Sequence, residues 1–422
     1  MQFKFDVDGL RRDFPACGRM KNGLPVAYLD GPGGTQVPLR VAEKISAYLL
    51  CHNANEHGVY DTSVETDRLF QEARGLCADF LNATPAEVAF GYSSTKNNFE
   101  LAFALGRTLK AGDEVVITDI DHLCNRAPWL MLQERGVVVK SVKVDAQKQQ
   151  IDMDDFSRKL SDKTKVAAFS WASNALGTVS DVKKMCALAH AVGAVTVVDA
   201  VHYAAHFPID VKEIDTDVLL CSAYKFFGPH LGVIYMKEAL VDRLRFYNVG
   251  ADDISQGISK FQFGTPPFEA ISGAGEAVKY IETVGNQYAA CFEKELAGLT
   301  GRRRGIVAGL TAFEYYEEPL AKYMRESFRA LPGVTVYGPA EGEPRTSTVV
   351  ITIEGKHPSD ICRTLNDNGI FAWDGDFYAT VVVNDVLGLK DKGGLVRFGL
   401  APYNTKEEVE RAVSAITNIA KS

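Results

Sequence analysis

No stretch of the chain approaches the roughly 20 consecutive apolar residues that a membrane helix needs. None of its eight cysteines falls in a CxxC pair or a His/Cys ligand spacing. Neither a membrane span nor a structural zinc site is therefore expected, and the cysteines at 17, 51, 77, 124, 186, 221, 291 and 362 read as reduced packing residues. There is no basic stripe of the kind that marks a nucleic-acid footprint; the one basic cluster, Arg302-Arg303-Arg304, is expected to be a solvated helix face. The first fifteen residues lack a continuous apolar stretch and a small-residue cleavage site, which predicts a protein that stays in the cytoplasm. Repeats and low-complexity segments are missing too.

What is present suits a globular enzyme. The 422 residues are 46% hydrophobic with a net charge of −8, and a chain of that length exceeds what one core usually organises. Between about residues 86 and 236, apolar runs of strand length alternate with amphipathic helical stretches, the signature of a mostly parallel α/β sheet covered by helices. From about residue 304 the pattern changes to a long helical stretch reaching residue 331, strands at 334–337, 347–353 and 395–400, and a closing helix from residue 406. The division expected is an N-terminal segment (1–40) packing near the active site, a large domain (41–290) and a smaller α+β domain (291–422). The Gly-rich turn Asp30-Gly31-Pro32-Gly33-Gly34 either folds back over a ligand or is an ordinary tight loop.

Lys225 is the most informative residue. It follows the apolar run Val218-Leu219-Leu220-Cys221 and enters Phe226-Phe227-Gly228-Pro229, a poor place for a solvated ammonium. A second apolar run ends in Asp199, so an amine and a carboxylate leave neighbouring strands at one edge, where open α/β sheets bind ligands. The pair suggests pyridoxal 5'-phosphate (PLP), which needs a lysine for the Schiff base and a carboxylate at its ring nitrogen.

Other residues each allow two readings. Ser93-Ser94-Thr95, before a helical stretch at 98–109, caps a helix or holds a phosphate. His122, after Asp121, lies against a cofactor ring or is a hydrogen-bonded strand-end histidine. Asn174 donates to a cofactor oxygen or shapes a turn. Arg397, inside a strand, binds a substrate α-carboxylate or forms an internal salt bridge. Arg126 reads as an exposed loop arginine, with a second substrate carboxylate as the rival.

Taken in order, Tyr28-Leu29-Asp30, Ser93-Ser94-Thr95, Asp121-His122, Ser173 to Thr178, Asp199, Lys225 to Pro229 and Arg397 with Tyr403-Asn404-Thr405 resemble the class V aminotransferase family of fold-type I PLP enzymes. The resemblance is nearest the cysteine desulfurase and cysteine/cystine lyase branch. It implies a large domain with a mostly parallel seven-stranded sheet, Lys225 as the Schiff-base lysine, Asp199 on the pyridine nitrogen, His122 stacked on the ring and Asn174 near the phenolic oxygen. It further implies Ser93, Ser94, Thr95, His202, Ser222 and Tyr224 around the cofactor, Arg397 on the substrate carboxylate, and a homodimer in which Thr265 reaches the neighbouring site.

Three positions depart from the desulfurase pattern. His202 stands where glutamine is usual, Tyr224 where histidine precedes the lysine, and Tyr378 where the sulfur-accepting cysteine sits. A phenol cannot accept sulfur as a persulfide, because that step needs a thiolate. The expected activity is therefore β-elimination, a C–S lyase acting on an α-amino acid. Transamination, desulfuration with another sulfur acceptor and a non-catalytic binding role are the alternatives, and Cys124, close to His122, is the remaining thiol near the site.

Overall fold

The computed structural model describes residues 3–249 and 254–421. Its centre is a seven-stranded sheet built from β1 (Val88–Gly91), β2 (Glu114–Thr118), β3 (Val138–Val142), β4 (Thr164–Ser170), β5 (Val195–Asp199), β6 (Val218–Ser222) and β7 (Gly232–Met236). The spatial order is β1-β7-β6-β5-β4-β2-β3. Only β7 runs against the others among the described strands, pairing antiparallel with β6 and with β1. The ends of β1, β2, β4, β5 and β6 consequently share one edge.

Burial on both faces explains why inner strands such as β6 and β7 read as apolar runs, whereas the edge strand β3 is partly exposed. Alternate residues of β6 feed two clusters: Leu219 and Cys221 join the core that includes Ala274 and Ile281 of helix Phe268–Tyr288, and Val218 and Leu220 join the core under Leu101 and Leu105. A second, four-stranded antiparallel sheet contains β8 (Val334–Tyr337), β9 (Thr348–Ile353), β10 (Trp373–Gly375) and β11 (Leu395–Gly399), ordered β8-β9-β11-β10. Helix Gly301–Arg329 packs along helix Phe268–Tyr288, then contributes Ala321, Met324 and Phe328 to the core of this smaller sheet. The N-terminal segment joins the same unit, since Ala27 and Tyr28 pair with Ile370 and Phe371, and Ala27 and Leu29 are fully buried there.

Two arginine expectations are corrected. Arg303 is not a solvated charge: it donates to the carbonyls of Asp79, Phe80 and Ile209, two of them at the end of helix Asp61–Leu81, where last-turn carbonyls lack partners. Arg126 is neither an exposed loop residue nor directed at a ligand. It is buried, hydrogen-bonded to Asp119 and Ser141 at 3.0 and 2.9 Å and to the Thr118 carbonyl, so it ties β2 to β3.

Candidate active site

Beyond the shared sheet edge lies a cavity of about 180 Å³. Its lining includes Ser93, Ser94, Thr95, His122, Asn174, Asp199, His202, Ser222, Tyr224, Lys225 and Arg397, residues spread over three hundred positions of sequence. Thr265 is not among them. It is exposed and borders a second cavity with Tyr92, Lys96 and Asn97, on the other side of the same helix start.

That helix begins earlier than the sequence suggests. It spans Ser94–Gly106, and the Ser93 hydroxyl is its N-cap, accepting from the Lys96 amide at 3.1 Å. Ser94 is buried and donates to the Cys221 carbonyl at 2.6 Å, with the Ser222 hydroxyl 2.8 Å away. Gly232 makes this docking possible, because a Cβ there would stand 2.4 Å from the Ser93 carbonyl carbon. The helix start is thus fixed against the cavity, with Ser93, Ser94 and Thr95 in its lining, and a helix N-terminus favours an anion.

Lys225 sits in the turn after β6, with its ammonium donating to the Pro32 carbonyl and lying 4.9 Å from the centre of the Tyr224 ring. Burial, reinforced by the Arg397 charge, pulls its pKa down to about 7, against the smaller opposing pull of Asp30, Cys124 and Asp199. Asp199 ends β5; its Oδ1 accepts from the Val201 amide at 2.9 Å, and the Cys124 thiol approaches Oδ2 at 3.6 Å. Burial raises the proton affinity of this carboxylate and, more strongly, of the Cys124 thiol, which the neighbouring Asp199 charge also opposes ionising. Cys124 is therefore held as a neutral thiol, a poor nucleophile.

His122 accepts from the Cys124 amide through Nδ1 at 3.0 Å, which leaves the proton of its neutral form on Nε2. Its pKa is lowered to about 4, chiefly by burial and then by Lys225 and Arg397. The carboxylate of Asp121 beneath it accepts from the Ser170 amide at 2.7 Å and fastens β2 to β4. Burial lifts its pKa to about 6.

Arg397 lies in β11, fully buried, with every anchor supplied by another segment. Nη1 donates to the Asn174 carbonyl at 2.9 Å and Nη2 to Asp30 Oδ1 at 2.9 Å, while the Phe377 ring centre is 4.2 Å from the guanidinium carbon. Asn174 in turn donates through Nδ2 to the Phe377 carbonyl at 2.8 Å. The internal salt bridge allowed by the sequence is thus present, and its partner, Asp30, belongs to the Gly-rich turn.

The mouth is covered by the loop after β10. Phe377 and Tyr378 both adopt the left-handed backbone region, with φ of 54° and 59°, a conformation that costs ~1–2 kcal/mol for each non-glycine residue. Three hydrogen bonds impose it: Asn174 to the Phe377 carbonyl, Leu123 N to the Tyr378 carbonyl at 2.7 Å, and Tyr378 N to Asp376 at 3.0 Å. The exposed Tyr378 ring stands 5.4 Å from the His122 ring, over the cavity. The sequence marks Asp30 within Tyr28-Leu29-Asp30 and the Trp373–Tyr378 loop as setting leaving-group access, but it gives no sign that Asp30 and Phe377 are the residues that hold Arg397.

The aminotransferase class-V family model matches residues 27–303 and 306–412. A probable cysteine desulfurase of Synechocystis sp. is 30% identical over 417 residues, covering 95% of this chain and 92% of that protein. A cysteine desulfurase of Salmonella agona is 29% identical over 431 residues, covering 98% of each. Among solved structures, the apo form of a cysteine desulfurase from Thermococcus onnurineus NA1 superposes with a TM-score of 0.86 at 27% identity, covering 100% of both chains.

Proposed function

The chain belongs to the class V aminotransferase family, and from that premise we propose that it is a PLP-dependent, cysteine desulfurase-like C–S lyase acting on an α-amino acid. The observation that carries the reading is Lys225, a buried amine whose pKa is pulled down to about 7, sharing one cavity with the Asp199 carboxylate.

The donor set fits PLP. Two buried polar atoms at the cavity, His202 Nδ1 and Arg397 Nε, have no hydrogen-bond partner among the described residues, and the adjoining helix start, with Ser93, Ser94 and Thr95 in the lining, suits a phosphate. Lys225 would hold the aldehyde carbon, Asp199 the ring nitrogen, His122 the ring face, and Ser94 and Thr95 the phosphate. Bound there, PLP supplies a sink for the electron pair left on the substrate α-carbon.

The chain's own groups do the rest. Arg397 orients the α-carboxylate, and Lys225 Nζ, as a neutral amine, takes the α-proton. His122 stays uncharged over most of the pH range and adds no competing cation. At the mouth, where a desulfurase carries its thiol, Tyr378 offers no sulfur acceptor, and Cys124 is held protonated. Sulfur expelled from Cβ therefore leaves the protein, with pyruvate and ammonia as the other products.

A homodimer completes the proposal. Thr265 lies next to the phosphate end of the cavity but outside it, and Leu50, Val59, Tyr60, Tyr92 and Phe263 are exposed large apolar side chains. Purified protein given PLP and cysteine is expected to release pyruvate and sulfide in equal amounts. Amino-group transfer to an added oxo acid without pyruvate would replace the lyase reading with transamination; sedimentation at the monomer mass would overturn the dimer.

A further inference from the structure

His202 occupies a site where an amide would donate a hydrogen bond without ambiguity, whereas a neutral imidazole donates from one nitrogen only, and which one is decided by its surroundings. Its Nε2 lies 3.1 Å from the Thr346 hydroxyl and 3.0 Å from the Thr348 hydroxyl, and Thr346 donates to Thr348 at 2.9 Å. These three atoms form a closed triangle of buried contacts. The Thr346 proton is spent on Thr348, so the Thr348 proton has one acceptor within reach in the triangle, His202 Nε2.

Placing the proton on Nε2 instead would leave that hydroxyl donor stranded in a buried site, and would leave Nδ1 as a bare lone pair. Placing it on Nδ1 satisfies every proton in the triangle. Burial and the charges of Lys225 and Arg397, with His206 nearby, exclude the doubly protonated ring by driving its pKa well below the usual histidine range. Nδ1 is the buried atom without a partner, on a residue that lines the cavity.

We propose that the Thr348 hydroxyl fixes His202 as its Nδ1–H tautomer and so makes it a hydrogen-bond donor into the cavity, for an acceptor oxygen such as the phenolic oxygen of PLP. Thr348 is a positioning residue that acts through His202, and it comes from the small domain while His202 follows β5 of the large one. The contact depends on Gly177, whose φ is +73° and where a Cβ would stand 3.0 Å from Thr346 Oγ1 and 3.1 Å from Thr348 Cβ, so a larger residue is strained in backbone and crowded against both threonines. A donor toward the ligand is thus assembled only when the two domains are docked. The identity of the acceptor rests on the PLP reading; the tautomer does not.

The test is nitrogen NMR of full-length protein labelled at histidine, with and without PLP, for the wild type and for Thr348→Val, Thr348→Ser and Thr346→Val. The expected result is a protonated Nδ1 and bare Nε2 at His202 in the wild type, in Thr348→Ser and in Thr346→Val, which is as buried a change but keeps the critical hydroxyl. Thr348→Val should move the proton to Nε2 and weaken PLP binding about tenfold, the effect of one lost hydrogen bond. A protonated Nε2 in the wild type, or an unchanged tautomer in Thr348→Val, would overturn the inference. Failure to bind PLP with the Nδ1–H tautomer intact would instead overturn the cofactor reading alone.

Discussion

Replacing Asp30 by asparagine isolates one charge at the substrate end of the site. Arg397 Nη2 donates to Asp30 Oδ1 at 2.9 Å, the arginine side chain being 1% and the aspartate 34% exposed. A substrate α-carboxylate binding the same guanidinium stands ~6 Å from the Asp30 charge, which at an effective dielectric of ~20 gives a repulsion of ~3 kcal/mol. Partial exposure of Asp30 screens roughly half of it, leaving ~1.4 kcal/mol, a factor of about ten in binding. Asp30→Asn keeps the accepting oxygen and removes the charge, so KM for the amino acid should fall about tenfold with kcat little changed. The guanidinium loses its counterion, so the folded state should lose ~1–2 kcal/mol in denaturant titration. Steady-state kinetics and urea melts on the same preparation separate the two effects. A KM that rises would refute the reasoning, since it would mean that Asp30 holds Arg397 in its working orientation and does not compete with the substrate.

The Lys225 ammonium should make stability pH-dependent in PLP-free protein. Its folded pKa of about 7 lies below the unfolded value of about 10.5, so the unfolded chain binds the extra proton and stability rises with pH across that window, by up to ~1.4 kcal/mol per unit. Urea titrations at pH 7.5 and 9.5 should show that rise in the wild type and not in Lys225→Met. After turnover with cysteine, intact-mass measurement should find no sulfur added to the wild-type protein; an added sulfur atom would contradict the assignment of Tyr378 and Cys124 as non-acceptors. Ser94→Ala removes buried hydrogen bonds to Cys221 and Ser222 at the helix start, so it should cost ~1–3 kcal/mol of stability and weaken PLP binding at the phosphate end, measured by denaturation and equilibrium dialysis.

How much of this was legible in the sequence depended on how local each signal was. The strand ends at Asp199 and Lys225 were legible because a charged residue closing a fully buried apolar run has few structural excuses, and the parallel order carries both to one edge. Arg303 was misread because its neighbours say nothing about carbonyls more than two hundred residues away, and Arg126 because its side chain turns back into the sheet to Thr118, Asp119 and Ser141. The Asp30 partnership of Arg397 spans 367 residues and had no local signature beyond a glycine-rich turn. The loop at 373–378 was legible as a control on leaving-group access, but its backbone conformation was not. Two consecutive aromatic residues in left-handed backbone contradict intrinsic preference, and only the hydrogen bonds from Leu123, Asn174 and Asp376 make that conformation the stable one.

The residues of the cavity divide along the same line. Lys225, Asp199, Asn174 and Arg397 each hold their place through hydrogen bonds to other segments of the chain, so their positions are set by the fold as a whole. Tyr378 is attached through backbone atoms, and its exposed side chain bears no hydrogen bond that holds the lid, so this position can exchange chemistry at little structural cost. On the proposed lyase reading, the side chain at this position bears on what becomes of the sulfur, whereas Arg397 and Lys225 bear on amino-acid binding and the α-proton. His202 is the intermediate case: its side chain is held by Thr346 and Thr348, which lie more than 140 residues further along the chain.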